Sequence, residues 1–368
     1  MRILYILTSL GIGGAEKQVV AVAGRMAARG HSVALLVLKH APEECPTKLP
    51  VLRLNISKTP LGILRGLRFA GKFVALFHPD ILHSHTFPAN IFTRLLRLSL
   101  SRQASPPVVI NTIHNIYEGG RHRMLLYRLT AMQADAVTAV STAAAERFIK
   151  LHAVSRNKIS VLTNGIDIDT FTPDKKTRRS TRSLMQTGNA FVWLAVGRIV
   201  PAKDYPNLLQ AFTQIQRTHP EAILWIAGEG DPAALTGSEI NLNNPSVQWL
   251  GLRHDIVQLL DAADAYVLSS AWEGMPLALG EAMAMEKPVV ATDAGGVREL
   301  VGEAGIVVPR SDSEALANAM LKVMAMNEWQ RKVMSRSARA RISQQFSMQA
   351  KAAEWESLYV QLTRKGTS

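Results

Sequence analysis

Residues 265–293 read AYVLSSAWEGMPLALGEAMAMEKPVVATD. An apolar run (265–270) leads into a loop holding Pro276, then into a stretch of good helix formers (278–285), then into a second apolar run (288–293). Short apolar runs bounded by turn residues read as buried strands, and a helix between two of them makes the strands parallel neighbours. The unit is therefore strand–helix–strand, and the question is how often it recurs.

It recurs along most of the chain. RILYIL (2–7), SVALLVL (32–38), DILHSH (80–85), PVVINTIH (107–114), AVTAVS (136–141) and KISVLTNG (158–165) read as strands. GGAEKQVVAVAGRMAARG (13–30) and Ala143–Leu151 read as helices between them. The polar, basic stretch TPDKKTRRSTRSLMQTGN (172–189) breaks the pattern and reads as a linker or mobile hinge. The alternation then restarts with FVWLAVGR (191–198), AILWIAGEG (222–230), VQWLG (247–251), the opening unit, and GIVVP (305–309). Strands buried on both faces lose the apolar–polar alternation of half-exposed ones, as here. The expected fold class is α/β: two doubly wound, Rossmann-like parallel-sheet domains, at 1–168 and 185–345, facing across a cleft. The last segment, 346–368, reads as an amphipathic helix returning toward the N-terminal domain.

Bulk properties narrow the class. The 368 residues suffice for two ordinary domains, and 47% apolar content excludes a disordered or collagenous chain. The single cysteine, Cys45, forbids an internal disulfide and fits a reducing compartment. No apolar run approaches the roughly 20 residues of a membrane span. The opening MRILYILTSLGIGGAE runs into a helical pattern without a cleavage site and is not read as a signal peptide. Net charge is +13, all of it in one half: residues 1–164 carry 21 Lys and Arg against 7 Asp and Glu, whereas 165–368 carry 21 against 22. A basic half points to an anionic surface, membrane or nucleic acid. Zinc-finger spacing, RNP-like motifs and aromatic-interleaved basic runs are missing, which argues against nucleic acid.

In open parallel sheets ligands bind beyond the carboxyl ends of the strands, so the loops after strands carry the chemistry. Glycines 11, 13 and 14 follow the first strand and precede a helix, a setting that admits an anion. A dinucleotide fingerprint counted from Gly11 needs glycine at 16, where Glu16 stands, and LKH at the second strand tip offers no acid for a ribose. A nicotinamide cofactor is not expected. His114 stands just past a strand. Arg198 and Lys203 lie in the first strand–helix loop of the second domain, and together they suit a diphosphate. Glu273 precedes a helix start, near amides of Leu277 and Ala278 that would face an anion, and Glu281 lies a turn along. Carboxylates beside a phosphate are unfavourable unless they accept hydrogen bonds, for instance from sugar hydroxyls.

These residues carry a resemblance. GGAEK, NGID (164–167), VGR with Lys203, GEG (228–230) and WEGMPLALGEAMAMEKPVVATDAGG resemble, in this order and over nearly the whole chain, the retaining nucleotide-sugar glycosyltransferases of family 4, of bacterial cell-surface polysaccharide type, with the GT-B fold. The resemblance implies that Glu281 holds the ribose, Glu273 the donor sugar, and Arg198 and Lys203 the diphosphate. Amides of Gly13, Gly14, Leu277 and Ala278 would complete the anion site, with Gly274, Met275 and Pro276 in the same loop. His114 would contact the donor sugar near the reaction centre, LGLRHD (250–255) with Arg253 would border the base, and DAGG (293–296) would line the pocket.

The resemblance also implies retention, with front-face attack because no covalent nucleophile stands out. Arg and Lys would do for the leaving diphosphate what Mg²⁺ does elsewhere, so neither metal nor cofactor is expected beyond a nucleotide-sugar donor, UDP-linked by family habit. LGILRGLRFAGKFVALF (61–77), with Arg65, Arg68 and Lys72, and FTRLLRLSLSR (92–102), with Arg94, Arg97 and Arg102, read as helices with an apolar side and a cationic rim. The expected partners are thus a lipid-linked or lipopolysaccharide-type glycan acceptor and an anionic membrane surface, with the protein cytoplasmic and peripheral on the inner face. A same-fold enzyme with a soluble sugar or sugar-phosphate acceptor is the nearer alternative.

Overall fold

The computed structural model describes residues 1–100, 106–235 and 241–365, and all statements below concern these residues; Arg102 lies outside them. The chain forms two compact units, Met1–Gly165 with Met348–Ser368, and Ile166–Ser347.

The first unit runs β1 (Arg2–Leu7), α1 (Gly14–Ala28), β2 (Ser32–Val37), β3 (Val51–Arg53), α2 (Pro60–Phe77), β4 (Ile81–His85), α3 (Phe87–Leu100), β5 (Val108–Ile113), α4 (Arg121–Leu129), β6 (Ala136–Ala139), α5 (Thr142–Lys150) and β7 (Ile159–Val161). Its parallel sheet has the order β3-β2-β1-β4-β5-β6-β7. Alternation along β1 divides the core: Leu4 and Ile6 join Leu82, Phe92 and Phe148 on one face, while Ile3 and Tyr5 join Val19, Val22 and Met26 on the other. β3 is missing from the strands read in the sequence; it is a three-residue edge strand paired to β2.

The second unit runs α6 (Lys175–Leu184), β8 (Val192–Val196), α7 (Tyr205–Gln216), β9 (Ile223–Ala227), β10 (Val247–Gly251), α8 (Ile256–Ala262), β11 (Ala265–Leu268), α9 (Leu277–Ala284), β12 (Val289–Thr292), α10 (Val297–Val301), β13 (Ile306–Val308), α11 (Ser313–Ala325) and α12 (Glu328–Gln345). Its parallel sheet has the order β10-β9-β8-β11-β12-β13. β8 and β11 sit side by side at its centre, so the loops after them emerge together. α13 (Met348–Lys365) belongs to the first unit, packing on α1 and burying Ala352, Trp355 and Tyr359 against Tyr5 and Val22.

Two readings need correction. The stretch read as a mobile hinge is mostly helix. Asp174 caps α6 by accepting from the amides of Lys176 and Thr177. Arg178 donates to the carbonyls of Asp261, Ala262 and Ala263 at the end of α8, and with Arg182 it pairs with Asp264. Cations at a helix C-terminus satisfy its orphan carbonyls, which holds the segment down. Arg94 is not part of a cationic rim. It is fully buried and donates to Asn111 Oδ1 at 2.6 Å and Tyr127 O at 2.8 Å, and burial pulls its guanidinium down to about 10. Arg97 likewise turns inward, toward Pro107 O and Asp135.

Candidate active site

In the second unit the chain leaves β8 at Gly197 and turns through Arg198 to a single 3-10 turn, Pro201–Lys203, before α7. Neighbouring loops are bonded to this one by their backbones. Gly197 N–H donates to Ala227 O, Ile199 N–H to Glu229 O, and Ala271 N–H to Ala202 O. The approach is so close that a Cβ at Gly228 would stand 1.9 Å from Gly197 O, which explains glycine there. A Cβ at Gly197 would in turn meet Lys203 Cε at 2.7 Å, so the lysine stem lies back over that glycine.

Lys203 Nζ therefore reaches Glu273 Oε1 at 2.6 Å, and both side chains are largely buried, at 19% and 13% exposure. Ser270 Oγ donates to the same oxygen at 2.7 Å, and Ser269 Oγ ties Lys203 O at 2.7 Å. A cation and a carboxylate expected to hold different parts of one ligand thus hold each other. Arg198 is exposed and pairs with no acidic side chain among the described residues. Three residues beyond Glu273, Pro276 stands at the N-cap of α9. The amides of Leu277 and Ala278 precede the first intrahelical bond, which Gly280 N–H makes to Pro276 O at 3.3 Å. Gly296 N–H donates to Gly274 O, joining the 293–296 loop to this one. Glu273 and Glu281 both act on the buried Tyr266 hydroxyl, held well above its ordinary range by burial first, then by Tyr205 and these carboxylates. Arg253 Nε and NH2 donate to Asp255 at 2.8 and 2.6 Å, so its guanidinium is oriented by a near neighbour.

In the first unit Gly13 caps α1 with an extended backbone and no side-chain cap. The Glu16 carboxylate folds back over it; a Cβ at 13 would lie 2.3 Å from Glu16 Oε2. A carboxylate already sits at the helix start expected to receive an anion, so Gly13 and Gly14 could serve a diphosphate only if Glu16 moved aside. His114 follows β5. Its Nε2 lies 2.9 Å from His85 Nδ1, and its amide donates to Glu118 Oε1 at 3.2 Å. Burial pushes His114 down to about 4 and His83 and His85 well below their ordinary value, so all three are neutral near pH 7. Burial raises Glu118 to about 7, although Tyr127 OH donates to it at 2.8 Å. A cavity of about 10 Å³, close to the room one water needs, is bounded by Gln18, His83, His85, Thr112, His114 and Asn164. His85 and Gln18 escaped the reading of the sequence, and Asn164 entered it only as part of NGID. The i, i+2 spacing of His83 and His85, which puts both on one face of a strand, is the signal that could have flagged His85.

The sequence also holds an Asp-x-Asp, Asp167–Ile168–Asp169, a pattern that elsewhere can hold a metal. Here Asp167 Oδ1 accepts from the amides of Asp169 and Thr170, and Oδ2 accepts from the Thr170 hydroxyl at 3.1 Å, a local turn.

Two units with parallel sheets, and a lysine–glutamate pair beside a helix start in the loops after the strands of one, make a two-domain α/β protein whose polar groups gather where such sheets bind ligands. Comparison with known proteins makes this specific. Residues 12–170 match the family described as Glycosyltransferase Family 4, and 190–326 match Glycosyl transferases group 1. The chain belongs to the family 4 glycosyltransferases, with the GT-B fold. It is similar to the UDP-Gal:alpha-D-GlcNAc-diphosphoundecaprenol alpha-1,3-galactosyltransferase of Escherichia coli, 28% identical over 299 residues, covering 77% of this chain and 76% of that one. It is also similar to the capsular polysaccharide biosynthesis glycosyltransferase CapM of Staphylococcus aureus, 26% identical over 82% of this chain and 83% of that one. Among solved structures, Anabaena HepE in complex with UDP and glucose shares the fold, with a TM-score of 0.84 at 21% identity over 98% of this chain and 100% of that one.

Proposed function

We propose that this glycosyltransferase moves a hexosyl or N-acetylhexosaminyl group from a UDP-sugar to a lipid-linked or lipopolysaccharide-type glycan, with retention, by front-face attack and without a metal. The observation that carries the reading is the convergence of Lys203, Glu273 and the α9 start on adjoining loops of one sheet. Breaking a sugar–phosphate bond sends negative charge onto the departing diphosphate, and fixed cations and amides aimed at that charge are the main electrostatic lever. Lys203 would leave Glu273 for the diphosphate, and Glu273 would accept from sugar hydroxyls. His114 would contact the donor sugar. The nucleotides in the names of the E. coli and Anabaena proteins support UDP.

A thermal-shift panel with UDP, GDP, ADP and NAD tests the donor. UDP at ~100 times its dissociation constant should add about 2.7 kcal/mol to the wild type, and nothing to Arg198→Ala/Lys203→Ala. A shift with NAD alone would sink the reading.

The acceptor side rests on α2 and on the undecaprenol in the E. coli relative's name. The helix buries only Gly66, Ala70 and Val74, and leaves Leu61, Leu64, Phe69 and Leu76 exposed beside the exposed Arg65, Arg68 and Lys72. Near an anionic leaflet each cation is worth about 1 kcal/mol. Vesicles of anionic lipid should sediment the protein at low salt, and an Arg65→Glu/Arg68→Glu/Lys72→Glu variant should stay in the supernatant. Equal sedimentation of the two would remove α2 as the contact. No helix among the described residues is long and apolar enough to cross a membrane.

A further inference from the structure

The reading of His114 as the donor-sugar contact leaves its protonation undefined. Neutral imidazole is a donor at one nitrogen and an acceptor at the other, and the bond made by one nitrogen sets the character of the other. We propose that His85 is a positioning residue for His114: its Nδ1–H donates to His114 Nε2 and holds His114 in the tautomer that presents Nδ1–H to the ligand.

His85 Nδ1 and His114 Nε2 stand 2.9 Å apart, at hydrogen-bond distance. With both rings neutral, one of these nitrogens carries the shared proton and the other is bare, so only two assignments exist. If His114 Nε2 were the donor, His85 Nδ1 would be bare and His85 would carry its proton on Nε2. That nitrogen is buried and finds no hydrogen-bond partner among the described residues. A buried N–H without an acceptor is rare in folded proteins and costly. If His85 Nδ1 is the donor, His85 Nε2 is a bare lone pair, and no N–H is orphaned. The second assignment is the cheaper one. It gives His114 a proton on Nδ1, a nitrogen that bonds no other described residue.

The rest of the cluster holds His85 still. Its ring stacks on Tyr5 at 5.9 Å and lies tilted against His83 at 4.1 Å. His83 is itself clamped between Tyr359 OH and Thr112 Oγ1, both at 2.7 Å. His85 therefore has little freedom to turn its donor away. A protonated Nδ1 makes His114 a hydrogen-bond donor to a sugar or phosphate oxygen, and excludes that nitrogen from taking a proton.

This inference rests on the proposed role of His114, but its first test does not need activity. The full chain labelled with ¹⁵N-histidine is examined by long-range ¹H–¹⁵N correlation, with His114→Asn used for assignment. The expected spectrum shows His114 bare at Nε2 and protonated at Nδ1, and His85 protonated at Nδ1. A proton on His114 Nε2 overturns the proposal, whether or not any nucleotide sugar is turned over. The second test is kinetic, with UDP-sugar as donor. His85→Leu should release His114 into a mixture of tautomers and lower kcat roughly tenfold, the worth of one misplaced hydrogen bond. His85→Asn, whose side-chain amide stands near the Nδ1 position, should restore most of the loss. A kcat in His85→Leu equal to wild type, or equal losses in the two variants, would show that His85 only fills space.

Discussion

Replacing Lys203 by alanine should lower kcat by roughly 10³-fold, more than any other single change in the second unit. Removing one preorganised group that meets developing negative charge typically costs roughly 10²–10³ in kcat, or about 2.7–4 kcal/mol. Lys203 should reach the top of that range because of its present partner. The lysine lies 2.6 Å from Glu273, and without it the carboxylate keeps only the Ser270 hydroxyl among the described residues while standing beside the proposed diphosphate position. The variant therefore loses an attraction and gains a repulsion. Arg198, exposed and outside this pair, should cost less. The two contributions separate in Lys203→Ala/Glu273→Gln: UDP affinity by calorimetry should partly recover, because the uncompensated charge is gone, while kcat should not. Turnover of a UDP-sugar within threefold of wild type in Lys203→Ala would mean that the diphosphate is held elsewhere.

That pair marks where the sequence stops being informative. Each member was legible from its loop: a lysine after the first strand of a domain, a glutamate before a helix start. Their bond joins positions 70 residues apart, and a resemblance that assigns each a ligand does not say what each holds before the ligand arrives. The strands were legible because a strand covered on both faces is a continuous apolar run, as in β1, β8 and β11. β3 was not, being a half-exposed edge of three residues. The composition of α6 reads as linker because the helix buries only Thr181 of its own; what fixes it is Arg178 and Arg182 reaching carbonyls and Asp264 some 80 residues on. Arg94 shows the same limit. An arginine spaced along a helix looks like a rim, and only the arrival of Asn111 and Tyr127 from other elements makes it core. Where the site depends on one loop the sequence carries it, and where it depends on two it does not.

The second large effect concerns stability. Removing α13 should leave the first unit unable to hold its fold, and Trp355→Ala alone should cost about 3–5 kcal/mol, the usual range for truncating a buried aromatic. Trp355 is 4% exposed and packs 4.7 Å from His83. Beside it, the buried Tyr359 hydroxyl bridges His83 Nδ1 at 2.7 Å and Tyr5 OH at 3.0 Å, so loss of the helix would also strand two buried polar groups. The same helix carries a showier contact: Glu356 bonds Arg29 and His31 at 2.7 Å each. That cluster is partly exposed, and pairs of this kind are worth at most about 1 kcal/mol. Packing, not charge, is therefore expected to decide. Glu356→Gln should melt within about a degree or two of wild type, whereas Trp355→Ala should move the first unit's unfolding transition to markedly lower urea. The two units need not unfold together, so the transitions must be resolved before a free energy is taken from either. A loss below 1 kcal/mol in Trp355→Ala, or a larger loss in Glu356→Gln than in Trp355→Ala, would show that α13 is held at its rim and not through its buried face.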